Sequence, residues 1–215
     1  MSDEKGKDWL TWARQIQAIA QSGLAFTRDP FDAERYEQLQ VLAAEIMSHH
    51  CDTDTAVIHN LFTQQTGYAT PKVGVRAAVF RENGNGSEIL MVKESYGEAL
   101  WTVPGGFADV GDTPSEAIVR EVLEETGYEV RPVKLTAVYD FDKQGHSKRP
   151  FALYRLFFLC EIIGGQPIEN NFEIDAVGFF HQQELPPLSS DKITVSQITR
   201  QFDHYQQPDL PADFD

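Results

Sequence analysis

Apolar residues recur at helical spacing through the first third of the chain and at strand spacing through most of the rest. In "DWLTWARQIQAIAQSGLAF", Leu10, Ile16, Ile19 and Ala20 fall roughly on one side of a helix that is expected to stop at Gly23. "DPFDAERYEQLQVLAAEIMSHH" repeats the pattern with Tyr36, Leu39, Val41, Leu42 and Ile46, and Asp32 is its expected N-cap. A third, short helix is expected over about Thr55 to Gln65, ending before Gly67. These three elements define a small all-helical N-terminal domain, residues 1–67.

The pattern changes at Lys72. "KVGVRAAVF", "EILMVKE", "WTVPGGF", "VKLTAVYDF", "ALYRLFFLCEII" and "AVGFFHQQEL" are short β-branched and aromatic runs separated by Gly, Pro and Asn, and each predicts a strand. "RENGNGSE" between the first two predicts a hairpin turn. Only two helices interrupt this half, one over Thr113 to Gly127 and one near Thr194 to His204. The expected fold is α+β, a mixed sheet with helices on both faces over residues 68–205. The Pro-rich, acidic tail 206–215 is expected to fray.

With 215 residues, 41% of them hydrophobic, the chain can bury one large core or a core with an appendage. No apolar run approaches the roughly 18 residues of a membrane span, so no membrane partner is expected. "MSDEKGKDWL" lacks the apolar stretch of an export signal, which points to the cytoplasm. Cys51 and Cys160 cannot make a disulfide framework, and Cys160 reads as a small core hydrophobe. The net charge of −15 argues against capture of DNA or an anionic membrane. It leaves room for a small phosphorylated substrate, which an acidic site binds when divalent cations lie between the two sets of charge.

The stretch "GGFADVGDTPSEAIVREVLEETGY", Gly105 to Tyr128, carries the chemistry. Thr113-Pro114-Ser115-Glu116 combines a capping box with proline at the first helical position, and Gly127 supplies the stop. At about 100° per residue, Ile118, Val119, Val122 and Leu123 share the side expected to face the sheet. Ala117, Glu121, Glu124 and Glu125 fall opposite. Carboxylates so spaced repel by roughly 0.2–0.5 kcal/mol per pair. Two readings account for them: a solvated acidic face, or a patch for hard cations such as Mg²⁺ or Mn²⁺, which prefer carboxylate and water oxygens. Arg120 is placed to hold one of the carboxylates by a bidentate pair. Pro104-Gly105-Gly106 ends a strand, where glycine permits close approach, and Phe107 to Asp112 lead back into the helix. Strand, glycine loop, capped helix and acidic patch form one unit suited to a metal-bound pyrophosphate, which favours the second reading.

Gly106, five residues, Asp112, seven residues, then Arg120-Glu121-Val122-x-Glu124-Glu125-x-Gly127-Tyr128 resembles the box of the Nudix hydrolases, enzymes that cleave a nucleoside diphosphate linked to another moiety. The resemblance implies a Nudix α/β/α sandwich. The one departure is Asp112, where the box carries glutamate; that position lies outside the main metal ligands, so activity is expected to survive. The helical leader followed by "KVGVRAAVF" is similar to a Nudix subfamily with its own N-terminal helical domain, whose members are labelled ADP-ribose pyrophosphatases or act on CDP-choline and related molecules. "FFLCEIIGG", "FEIDAVGFF" and "ELPPLS" look like its later strands and loops, so the likeness runs over about residues 8 to 200.

Carried over residue by residue, the resemblance implies that Glu121, Glu124 and Glu125 hold Mg²⁺ (or Mn²⁺), that Arg120 orients them, and that Gly105 and Gly106 shape the loop against the pyrophosphate. Water attacks phosphorus, with a box glutamate or a distant carboxylate as general base. Glu173, in "NNFEIDAVGFF", is the distant candidate; its other reading is a solvated loop carboxylate. Nudix enzymes are often dimers, which makes a homodimer the expected assembly.

Other features are weaker. Arg76, between Val75 and Ala77, is read as reaching a phosphate in preference to pairing with a core carboxylate. "DFDKQGHSKRP", with Lys143, Lys148 and Arg149, reads as a mobile loop or a cover for the substrate. Phe107, Tyr139 and Phe141 are candidates to stack on a base, Phe107 first. "HHCDTDTAVIH" fits no strong zinc template. Two alternatives stand beside the leading reading. An RNA 5′-end pyrophosphohydrolase is disfavoured by the acidic charge. A non-catalytic Nudix-like ligand sensor is disfavoured by the glutamate at every metal-ligand position.

Overall fold

The computed structural model describes residues 8–51, 53–95, 99–146 and 149–215. The chain divides into two compact units: the described residues up to Pro71 together with Arg149–Ala152, and Lys72–Lys148 with Leu153–Asp215.

The first unit holds α1 (Asp8–Phe26), α2 (Pro30–Ser48) and α3 (Thr55–Thr63). Its core is Leu10, Ala13, Ala43, Ala44, Met47, Ile58 and Phe62. Gly23 does not stop α1, which continues to Phe26. A Cβ at Gly23 would lie 2.4 Å from the Tyr36 ring, so the glycine serves the close approach of α2 instead. The cap of α2 is Asp29, not Asp32: its carboxylate accepts the Phe31 and Asp32 amides at 2.8 and 3.2 Å, ahead of Pro30. The small pair Ala43–Ala44 takes the buried stripe of α2, which leaves Val41 and Leu42 exposed. On α1, Trp12, Ile19 and Phe26 stand seven residues apart and are all exposed.

The second unit is a mixed sheet of β1 (Lys72–Asn83), β2 (Gly86–Glu94), β3 (Trp101–Thr102), β4 (Tyr128–Asp140), β5 (Leu153–Gly165), β6 (Ile174–His181) and β7 (Asp213–Phe214). The order is β3-β2-β1-β5-β4-β7, with β6 pairing β2. β1 runs parallel to β5 and antiparallel to β2, which it joins through Gly84 and Asn85. Helices α4 (Pro114–Thr126) and α5 (Val195–Gln206) cover opposite faces. Alternation along β1 serves both: Val75, Ala77 and Val79 pack with Ala117, Ile118 and Val122, while Ala78 and Phe80 pack with Ile198 and Phe202. The expected α+β architecture, a mixed sheet with helices on both faces and helices ahead of it in the chain, is thus the one present.

The tail does not fray. β7 pairs in parallel with Ala137 and Val138 of β4. Arg200 grips Asp213 through Nε at 2.5 Å and Nη2 at 2.8 Å, and His204 and Tyr139 also reach that carboxylate. After β4, Phe141–Gln144 form a 3-10 turn with Phe141 buried, while Lys148 lies outside the described residues.

Candidate active site

Helix α4 is built as its sequence indicates at both ends. The Glu116 amide donates to Thr113 Oγ1 at 3.2 Å, the Thr113 amide to Glu116 Oε2 at 2.8 Å, and Gly127 takes the left-handed conformation at φ 75°. The buried stripe is displaced from the expected one. Ala117, Ile118, Val122 and Thr126 are buried, whereas Leu123 is exposed beside Glu124. Rotating the helix this way moves Glu121 and Glu125 from the far side to the margin of the core, and only Glu124 stays well exposed.

The glycine loop lies along β1. The Val75 amide donates to Gly106 O at 2.9 Å, Ala77 to Pro104 O at 2.9 Å, and Ala108 to Val73 O at 3.0 Å. A side chain added there must displace backbone at Gly105 and the Glu121 carboxylate at Gly106. At Gly105, φ is 137° and a Cβ would sit 2.2 Å from Val75 O; at Gly106 it would sit 2.6 Å from the Glu121 carboxylate oxygens. Gly106→Ala is therefore expected to displace Glu121 and weaken Mn²⁺ binding by roughly tenfold while the fold survives, and Gly105→Ala to lower the melting temperature. A Gly106→Ala protein with unchanged Mn²⁺ affinity, measured by paramagnetic titration, would refute this use of the glycine.

Arg120 is the hub of the acidic patch. Its Nη1 donates to Glu121 Oε1 at 3.0 Å and to Glu124 Oε2 at 3.1 Å, and its Nε to Asp112 at 3.2 Å. Nη2 meets Asp109 at 3.3 Å and the Phe107 carbonyl at 3.4 Å. Asp112, the one departure from the box, thus fastens Arg120 between the loop and the helix. Glu125 turns the other way and accepts the Gly105 amide at 2.8 Å. Burial pushes the Glu125 carboxyl up to about 7, against the pull of Arg76, the Gly105 amide and Lys192. Burial also raises the Glu121 carboxyl, with Arg120 opposing. Among the described residues no three His, Cys, Asp or Glu side chains stand ready-grouped for an ion. The donor set nonetheless fits a hard divalent cation: it is all oxygen, and two of its carboxyls are held in places that disfavour their own charge.

Other candidates scatter. Arg76 is buried, and its charge acts on Glu125 and Glu121. Phe107 is exposed, while Tyr139 and Phe141 are core. Glu173 is exposed on a loop whose Asn171 donates to the Glu124 carbonyl at 2.9 Å. In the "HHCDTDTAVIH" stretch His50 stacks on Trp9, and Asp52 lies outside the described residues. Asp109, Glu94 and Lys192 were not anticipated. Asp109 is readable as a loop acid near an arginine, whereas Glu94 and Lys192 are brought together only by the tertiary fold.

The chain matches the family model of the NUDIX domain over residues 70–202 and that of the UDP-X-like, N-terminal oligomerisation domain over residues 7–62. A Bacillus subtilis (strain 168) protein, YjhB, provisionally named an ADP-ribose pyrophosphatase, is 44% identical over 96% of this chain and 97% of its own length. A crystal structure of a UDP-X diphosphatase covers 97% of this chain and 98% of that one, with TM-score 0.62 and 34% identity. An ADP-ribose pyrophosphatase structure from Streptococcus suis 89-1591 covers 68% of this chain and 100% of that one, with TM-score 0.60 and 34% identity. The chain therefore belongs to the Nudix hydrolases, pyrophosphatases that generally work with divalent metal ions.

Proposed function

We propose that the protein is a cytoplasmic, divalent-cation-dependent pyrophosphohydrolase for a nucleoside diphosphate linked to a small moiety. ADP-ribose is the first substrate to test, and CDP-choline or a similar compound the next. The observation that carries the reading is the meeting of Glu121 and Glu125 with the Gly105–Gly106 backbone, beside Glu124 and under the grip of Arg120. The relatives' names, ADP-ribose pyrophosphatase and UDP-X diphosphatase, share the diphosphate link.

Glu121, Glu124 and Glu125 would hold Mg²⁺ or Mn²⁺, which when bound neutralises phosphate oxygens and lowers the pKa of the attacking water. Arg120 keeps two of these glutamates in fixed rotamers, and Arg76 supports the buried pair from within. The glycines let the diphosphate approach the backbone, and exposed Phe107 offers a ring for the base. A box glutamate or Glu173 takes the proton as the water oxygen bonds to phosphorus and the bridging P–O bond breaks, leaving a nucleoside monophosphate and a phosphorylated moiety. The loop of Glu173 is tied to α4 through Asn171, which supports a place for it near the glutamates.

The test is a chromatographic panel with Mg²⁺ and separately Mn²⁺: ADP-ribose, CDP-choline, nucleotide sugars, dinucleoside polyphosphates, nucleoside triphosphates and a triphosphorylated RNA. We expect one diphosphate-linked compound to be cleaved well above the rest, with chelation abolishing it. In that assay Glu173→Gln is expected to lower turnover by more than about tenfold. A smaller change returns Glu173 to a solvated loop carboxylate, and no cation-dependent cleavage of any compound favours the sensor reading.

The assembly we propose is a homodimer formed through the helical unit. The match of residues 7–62 to an oligomerisation domain supports it, as does the exposed stripe of Trp12, Ile19 and Phe26. Among the described residues no helix is long and apolar enough to cross a membrane.

A further inference from the structure

A charged pair outside the box stands at the end of β2, between the Trp101 segment that leads into the glycine loop and the loop of Glu173. Lys192 Nζ is paired with the carboxylate of Glu94, the last residue of β2, and both are largely shielded from solvent. Buried ion pairs contribute little net stability once desolvation is counted, so stability alone is a weak account of this one. The backbone around Lys192 is fastened on every side. The Lys192 amide donates to Ser189 O at 2.8 Å, and the Ser189 amide donates to Trp101 O at 2.8 Å, four residues ahead of Gly105. The Lys192 carbonyl accepts from the buried Arg155 guanidinium, which stacks 4.7 Å from the Phe141 ring centre. At the far end of the pair, the Ser95 amide next to Glu94 donates to Glu173 O at 2.9 Å.

We propose that Lys192 is a positioning residue for the active site, tying Glu94 and the end of β2, with the Glu173 loop beyond it, to the Trp101 segment that leads into the glycine loop. The inference rests on the proposed cation site at the glutamates, and it assigns a role to residues far from the box in sequence.

Three variants test it: Lys192→Met, Lys192→Arg, and Lys192→Met combined with Glu94→Gln. Each is followed by melting temperature, by Mn²⁺ dissociation constant from paramagnetic titration of the purified protein, and by kcat and KM on the compound found by the panel. Lys192→Met is expected to lower kcat by about tenfold or more, with KM changing less than about threefold, and to shift Mn²⁺ affinity by at least about threefold. Lys192→Arg, which keeps the charge, stays within about threefold of the parent in all three. The double variant removes the unpaired buried carboxylate, so its melting temperature recovers while kcat and Mn²⁺ affinity do not. Full recovery of all three in the double variant would reduce the pair to a structural contact and overturn the proposal, as would a Lys192→Met protein with parental kcat and Mn²⁺ affinity. If the parent cleaves nothing, the Mn²⁺ titrations still decide the positioning role, so the two failures are separable.

Discussion

Glutamine at Glu124 or Glu125 is expected to lower turnover by about two to four orders of magnitude with little change in fold, read as kcat beside a circular dichroism melt. The substitution keeps the shape of each side chain and removes only the negative charge that a divalent cation needs. The two variants should differ in detail. Glu124 is exposed and shares Arg120 with Glu121, so its loss frees one guanidinium hydrogen bond. Glu125 is enclosed and is hydrogen-bonded to the Gly105 amide, which a glutamine oxygen still accepts. Parental rates in both variants would remove the box from the mechanism.

The same substitution at Glu125 is expected to stabilise the cation-free protein at alkaline pH. Burial raises this carboxyl from 4.5 to about 7, so between those values the folded chain keeps a proton that the unfolded chain has lost. Stability without cation therefore falls as pH rises through that window and is flat above it. The penalty above about pH 7 is on the order of 3 kcal/mol, an upper figure since the site relaxes. In the presence of a chelator, Glu125→Gln should melt higher than the parent at pH 8 and level with it at pH 4.5. Added Mg²⁺ should raise the melting temperature of the parent at pH 8 and lose this effect toward pH 5, because the cation must displace the Glu125 proton. A Glu125→Gln protein that melts below the parent at pH 8 would contradict the placement of Glu125 at the margin of the core.

Much of this site is legible in the chain because its parts are close in sequence. Thr113, Pro114, Glu116 and Gly127 specify the ends of α4 through local hydrogen bonds and backbone preference. Alternation along "KVGVRAAVF" specifies a strand that serves two cores. The errors arise where a local rule competes with packing. Leu123 is as apolar as Val122, yet the sheet accepts Ala117 in its place, and that rotation carries Glu121 and Glu125 inward. Gly23 carries the mark of a helix stop, but the ring of Tyr36 gives it another purpose. The tail has the composition of a frayed end, and its retention follows from Arg200, thirteen residues away, which supplies a bidentate partner for Asp213.

Sequence by itself determined the strands β1 to β6, the capped helix, the glycine loop and the glutamate spacing, because each is written in interactions spanning a few residues. Tertiary structure alone decided which carboxylates are enclosed, that Arg120 binds Asp109 and Asp112 as well as its own helix, and that Lys192 and Glu94 meet. Those outcomes depend on desolvation and on contacts between residues up to 98 positions apart, which the sheet brings together and which leave no periodic trace in the chain.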